Sequence, residues 1–331
     1  MQTIGIDISK KRLHAAWLRD PEQERSRPKA ADNTPEGHRQ LLAWAERHSQ
    51  CPPEQLCFVI EATGVYHEAL ALFLHQAGAR VCVVNPYQVK EFARSRGIRT
   101  KNDRHDGHVL ALFGRERRPQ AWQPPPEHVR HLQSLLKRIE ALEADRQREC
   151  NRLEKATVEQ APAPVRRSLQ DMIDVLEAEI TRLRRQLDDH IDAHPELKQQ
   201  RALLESIPGV GPKLSAWFLA LFGAKRFHSA KQAAAFLGLV PVEYDSGTSV
   251  HRRPRLSKAG DARWRARLYM PALVAIRWNS AIRAQFTRLT GAGKSKMSAI
   301  GAAMRKLVQI AFGVFNTRRP FNVEQAQPSI T

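Results

Sequence analysis

Residues 2–9, QTIGIDIS, alternate apolar and polar and are rich in β-branched side chains, which predicts a strand. Lys10-Lys11 then turns the chain into a second strand, Arg12 to Arg19, followed by a polar loop. Thr34-Pro35-Glu36 has the residues that open a helix, which the apolar spacing carries to about His48. Leu56–Ile60 is continuously apolar, the pattern of a strand buried on both faces, and it ends at Glu61. A helix is expected over Tyr66–Gly78, a further buried strand over Arg80–Asn85, a basic helix or turn over Gln88–Arg96, and a helix over Arg104–Glu116. Strands that pair early and then interleave with helices describe an α/β domain with a mixed sheet.

The breaker Trp122-Gln-Pro-Pro-Pro126 marks a boundary. Two long charged segments follow, roughly 127–157 and 164–194, split by Ala161-Pro-Ala-Pro164. In the second, Leu169, Ile173, Leu176, Ile180, Leu183, Leu187 and Ile191 keep a nearly heptad spacing; the first offers Leu132, Leu135, Ile139, Leu142 and Leu153. Such a pair suits an antiparallel hairpin, a coiled coil between chains, or both. The expected domains are therefore 1–121 (α/β), 122–200 (helical connector) and 201–331 (mainly α). In the last of these, Ile207-Pro-Gly-Val-Gly-Pro-Lys213 reads as the turn of a helix-hairpin-helix element, whose Gly209 and Gly211 would let backbone N–H groups, with Lys213, approach a phosphate. Helices are expected around Leu214–Phe222, Ala230–Leu237, Arg263–Trp278 and Ala299–Phe315, with an irregular polar stretch over Pro241–Lys258 and a frayed end.

Charge narrows the function. The 331 residues carry 53 Lys+Arg against 34 Asp+Glu, a formal net charge of +19. From Lys225 onward there are 19 basic and 4 acidic residues. So dense a basic excess calls for a polyanion, most simply nucleic acid held through its phosphates, and Arg252, Arg253, Arg255 and Lys258 are the candidate contacts. No continuous apolar run approaches the roughly 18 residues of a membrane span, and no signal-peptide pattern opens the chain, so a cytoplasmic protein is expected. Cys51, Cys57, Cys82 and Cys150 lack metal or redox spacing and read as reduced, buried thiols.

Four carboxylates stand out. Asp7 sits in mid-strand among apolar neighbours, where an unpaired charge is costly, and Glu61 ends another buried strand. Asp103 and Asp106 are spaced i, i+3 and share a face at the start of a helix. Singly, the last two are ordinary helix-start residues. If the strands of Asp7 and Glu61 are neighbours, all four converge on one sheet edge, where Mg²⁺ or Mn²⁺ would relieve their repulsion. Two such ions about 3.5–4 Å apart can hold the attacking and leaving oxygens of a phosphodiester. His105 and His108 on the same helix suit a structural or DNA-backbone role better than metal ligation. Ser246, in Asp245-Ser-Gly247, is by composition a turn residue, yet it lies shortly before three arginines that would stabilise a phosphoryl group under attack.

GIDISK around Asp7, IEATGVY around Glu61, KNDRHDGHVLA around Asp103 and Asp106, the IPGVGP turn, and SGTS followed by SKAGDARWRARLY together resemble the DEDD transposases of insertion sequences, the bridge-RNA-guided recombinases. The resemblance covers nearly the whole chain in the right order. It implies a ribonuclease-H-like first domain of the Holliday-junction-resolvase type, with Asp7, Glu61, Asp103 and Asp106 binding Mg²⁺. It maps a nucleophilic serine onto Ser246, through which donor and target DNA would be cut and rejoined. It also implies an element-encoded structured guide RNA and a homo-oligomer, a dimer assembling to a tetramer. Gly107 stands where the family usually has alanine, which is expected to loosen that helix. Three rivals remain: a metal-only resolvase in which water attacks, a nucleic-acid-binding scaffold with an inactive fold, and a sugar kinase. Intact acids argue against the scaffold, and Ser9, where such kinases carry glycine, argues against the kinase.

Overall fold

A computed structural model describes residues 1–322 apart from 63, 99–102, 247–249 and 258–259; of residues 103–104, 242–246 and 250–255 it describes the backbone. The chain divides into two compact units, Met1–Pro124 and Pro125 to the C-terminus.

The first unit is α/β. Among the described residues it holds one mixed five-stranded sheet in the order β3-β2-β1-β4-β5, from β1 (Gln2–Ile8), β2 (Arg12–Asp20), β3 (Arg25–Asp32), β4 (Leu56–Glu61) and β5 (Arg80–Val84). β1–β2 and β2–β3 are antiparallel, whereas β1–β4 and β4–β5 are parallel. β3 lies where the polar pattern predicted a loop. Its residues, RSRPKAAD, have no apolar alternation because it is an edge strand, with Pro28 and charged side chains of the kind that discourage further pairing.

Helices cover both faces of the sheet. Ile4, Ile6 and Ile8 share a core with Leu41 and Ala45 of α1 (Pro35–Ser49) and with Leu70 and Leu74 of α2 (Glu68–Gln76). As the sequence predicts, Thr34 caps α1, its hydroxyl accepting from the Gly37 N–H at 3.2 Å. Val59, Cys82 and Val84 pack on the other face against Val89 and Phe92 of α3 (Pro86–Ser95) and Val109–Phe113 of α4 (Asp103–Arg117).

α4 lies flush on β1 through two glycines. A Cβ on Gly5 would stand 2.1 Å from the Gly107 carbonyl oxygen and 2.3 Å from the Ala111 nitrogen; one on Gly107 would stand 2.8 Å from the His14 carbonyl oxygen. Close approach thus gives Gly107 a packing role that the sequence does not reveal.

The second unit is helical around one core. α5 (Glu127–Val158) and α6 (Ala163–Asp192) form an antiparallel hairpin within the chain, tied by Arg146–Glu177 and Arg184–Glu143 ion pairs and by a 2.8 Å hydrogen bond between the His190 Nε2 and the His128 carbonyl. Ile180, Leu183, Leu187 and Ile191 fill the seam together with Leu132, Leu136, Ile139 and Leu142. The same core continues through α7 (Pro195–Glu205), α8 (Pro212–Ala224), α9 (Ala230–Phe236), α10 (Ala262–Trp278), α11 (Ser280–Gly291) and α12 (Lys296–Thr317).

α12 has the length and apolar composition of a membrane span. Arg305 and Lys306 interrupt its apolar run. Ala303, Leu307, Val308 and Ala311 are buried against neighbouring helices, which makes it the core helix of its unit.

The Pro241–Lys258 stretch also corrects its expectation. It is a two-stranded antiparallel ribbon, β6 (Pro241–Ser246) and β7 (Val250–Leu256), whose polar residues and Pro254 hide the pattern. The four cysteines are free thiols; Cys57 and Cys82 are buried, Cys51 and Cys150 half-buried.

Candidate active site and nucleic-acid interface

The strand register brings two of the acids side by side. Ile6 pairs with Ile60 across the parallel β1–β4 ladder, so Asp7 and Glu61 are the next register positions at the carboxyl ends of adjacent strands. Side chains alternate along a strand. Asp7 therefore shares a face with Gly5, and Glu61 with Val59, and that face is the one α4 covers.

The direction of α4 brings the other two acids to the same end. Gly107 lies over Gly5, and Gly114, two turns later, lies over Val59 and Thr3. The helix thus runs down the strands from their carboxyl edge, and its first turn, carrying Asp103 and Asp106, stands at the edge where β1 and β4 end. Asp7, Glu61 and Asp106 are half-buried.

The donor set suits a hard divalent cation: carboxylate oxygens only, from two strand ends and one helix start. Among the described side chains no three His, Cys, Asp or Glu are close enough to share an ion. The Asp103 side chain lies outside the described residues, so the edge offers three described carboxylates and a fourth position on the helix. His105 and His108, on the same turn, have ring centroids 5.9 Å apart. Burial lowers the His108 pKa, which keeps that ring neutral near pH 7.

In the second unit, Ser246 is the last residue of β6 and pairs in register with Val250. Arg252 pairs with Tyr244 and Arg255 with Val242, and Arg253 lies between them, so the serine and the arginine cluster belong to one ribbon. Leu256 anchors its base, with a side-chain carbon 3.3 Å from where a Cβ on Gly301 of α12 would lie. Lys258 lies outside the described residues.

The turn between α7 and α8 has its own packing logic. Gly209 has φ +101°, and a Cβ there would stand 2.8 Å from both the Ala275 Cβ and the Pro271 carbonyl oxygen of α10. Glycine is needed at 209 for the fold of the unit, whereas Gly211, just before α8, faces open space. Lys213 is engaged with Glu143 of α5, at 2.6 Å. Sequence reasoning missed Arg267, whose guanidinium lies 3.6 Å over the Trp217 ring and pairs with Glu140; an arginine among arginines gives no signal of such stacking.

A family model described as a transposase matches residues 4–162, and a model of the IS116/IS110/IS902 transposase family matches residues 201–287. The chain is 33% identical over 321 residues to the pilin gene-inverting protein of Moraxella bovis, covering 96% of this chain and 97% of that one. The chain belongs to the IS110 family of transposases. The Moraxella lacunata pilin gene-inverting protein matches to the same extent, and a probable family 20 transposase of Pseudomonas aeruginosa is 29% identical over 262 residues, 69% of this chain and 73% of that one. The transposase is thus an enzyme of DNA recombination, and the first family match runs through all four acids.

For this transposase the salt dependence of DNA binding is a direct probe of the ribbon. Replacing Arg252, Arg253 and Arg255 together with Gln should lower the slope of log K against log salt by about 0.9 for each duplex phosphate that the ribbon no longer neutralises. An unchanged slope in a filter-binding titration would show that the cluster does not meet the backbone.

Proposed function

We propose that the transposase cuts and rejoins donor and target DNA through Ser246, with Asp7, Glu61, Asp103 and Asp106 of a ribonuclease-H-like domain holding Mg²⁺ or Mn²⁺. The observation that carries this reading is the placement of Asp7 and Glu61 at adjacent register positions, on the face and edge where the first turn of α4 begins. When bound, the cation supplies Lewis-acid polarisation of the scissile phosphate.

The protein's own part is nucleophilic. The Ser246 Oγ attacks phosphorus, an Oγ–P bond forms, the P–O3′ bond breaks, and the serine proton ends on the released 3′ oxygen. Attack by a 3′-hydroxyl on the phosphoserine reverses the sequence and rejoins the strand. Arginines of the ribbon offset the charge on the phosphoryl oxygens. The names of the Moraxella relatives support a reaction that rearranges DNA, since the same cut and rejoining at two sites of one molecule inverts the segment between them. A structured guide RNA paired with donor and target, a homodimer assembling to a tetramer, and action on cytoplasmic chromosomal or plasmid DNA complete the proposal.

A metal-only resolvase would use water in place of the serine. Denaturing gels separate the two chemistries. Wild type, stalled on a substrate with a 3′-bridging phosphorothiolate or sampled early, should yield a denaturant-resistant protein–DNA adduct that Ser246→Ala lacks. Cleavage by Ser246→Ala at the wild-type rate would establish water as the nucleophile.

A further inference from the structure

Beyond the acids, the same edge of the first unit carries a cleft on the opposite side of the sheet. It encloses about 480 Å³ and is lined by Lys10, Asn33, Thr34, His38, Tyr66 and Phe73, among others. That volume lies within the range of pockets that hold small organic ligands. Lys10, Val65 and Tyr66 come from the two loops that leave the acid-bearing strands, and the rest of the lining comes from the start of α1 and from α2. Lys10 follows Asp7 by three residues, and Tyr66 follows Glu61 by five.

The floor is fixed by hydrogen bonds. The Asn33 Nδ2 donates to the Ser9 carbonyl and to the Tyr66 carbonyl, each at 3.1 Å, joining the β1–β2 turn to the loop after β4. With its amide nitrogen so used, Asn33 presents Oδ1 as an acceptor, and the His38 Nε2 donates to it at 2.9 Å. His38 is 4% exposed, and burial lowers its pKa, so the network stays neutral and intact near pH 7. Above this floor, Val65 is 61% exposed and Tyr66 42% exposed, so both can meet a ligand in the cleft. The cleft therefore combines a rigid polar floor, an aromatic wall and an exposed ammonium.

We propose that this cleft seats one unstacked nucleotide of the DNA strand being cut, its base against Tyr66 and a flanking phosphate on Lys10. The inference rests on the reading of the acid edge as the cleavage site. Three residues span at most about 11 Å, so Lys10 lies within a few nucleotides of a phosphate held at Asp7. Aromatic side chains stack on any base, and Lys10 meets the backbone by charge alone (the other lining cation, Arg39, is paired with Glu36), so the cleft positions the strand without reading its sequence. A neutral peptide would fill the apolar wall but leave Lys10 without a counter-charge, whereas a strand held at the acid edge brings a phosphate to it.

The test uses the full chain and a 12-nucleotide single-stranded DNA carrying 5-iodouracil at successive positions, in the absence of divalent ions. Ultraviolet crosslinking followed by peptide mapping should place an adduct on Tyr66. Tyr66→Ala should weaken binding of the unmodified oligonucleotide at least about fivefold while Tyr66→Phe retains it, and Lys10→Ala should lower the salt slope by about 0.7. Tyr66 is partly exposed, so none of these variants threatens the fold. Adducts confined to other peptides, with wild-type affinity in Tyr66→Ala, would overturn the proposal. Because binding is read without metal, that failure is separate from failure of the cleavage reading, which Asp7→Asn reports.

Discussion

Asp7→Asn and Asp103→Asn should each lower the rate of Mg²⁺-dependent strand cleavage by about three orders of magnitude or more, with DNA binding near the wild-type level. The size follows from the several kcal/mol a bound cation contributes to stabilising the charge of a phosphoryl transition state. Binding is spared because the basic excess lies in the other part of the chain, from Lys225 onward. Near wild-type cleavage by both variants would remove the acids from the chemistry.

Gly5→Ala should be one of the most damaging small substitutions in the first unit. The new Cβ would meet the backbone of α4 at 2.1 Å and 2.3 Å, far inside van der Waals contact, and both partners are main-chain atoms that no rotamer change can move. Overpacking typically costs about 1–3 kcal/mol, and backbone overlap belongs at or above the upper end. A fall of roughly 10 °C in melting temperature is expected. Gly313→Ala is the contrast: its Cβ enters open space within α12, and exchanging glycine for a better helix former should be neutral or stabilising. Equal melting temperatures for Gly5→Ala and wild type would refute the flush packing of α4 on β1. The same displacement would carry Asp103 and Asp106 away from the strand ends, so cleavage should fall with stability.

The contrast between these glycines shows what the sequence conveys and what it withholds. Buried strands such as Leu56–Ile60 and capped helices such as α1 declare themselves through local periodicity and cap chemistry. Asp7 and Glu61 could be singled out because a carboxylate at the end of an apolar run needs a reason. Their adjacency is a property of strand order, set by long-range pairing of β1 with β4, and no local pattern encodes it. β3 and the β6–β7 ribbon carry no local signal for a related reason: their hydrogen bonds come from a neighbouring strand, and most of their residues are polar, charged or proline. Gly209 reads in the sequence as a phosphate-binding glycine, and its packing against α10 goes unseen there because that helix lies more than sixty residues away. The Asn33–His38 floor of the cleft gave no signal at all, since isolated polar residues around a helix start are commonplace.

The central claim, that one edge of the sheet gathers acids to hold a divalent cation, is tested most directly by Mn²⁺ binding to the full chain followed by electron paramagnetic resonance. Wild type should bind Mn²⁺ saturably, Mg²⁺ should displace it, and Asp7→Asn and Glu61→Gln should each weaken binding at least tenfold while retaining the wild-type circular dichroism spectrum. Unchanged Mn²⁺ affinity in both folded variants would contradict the account.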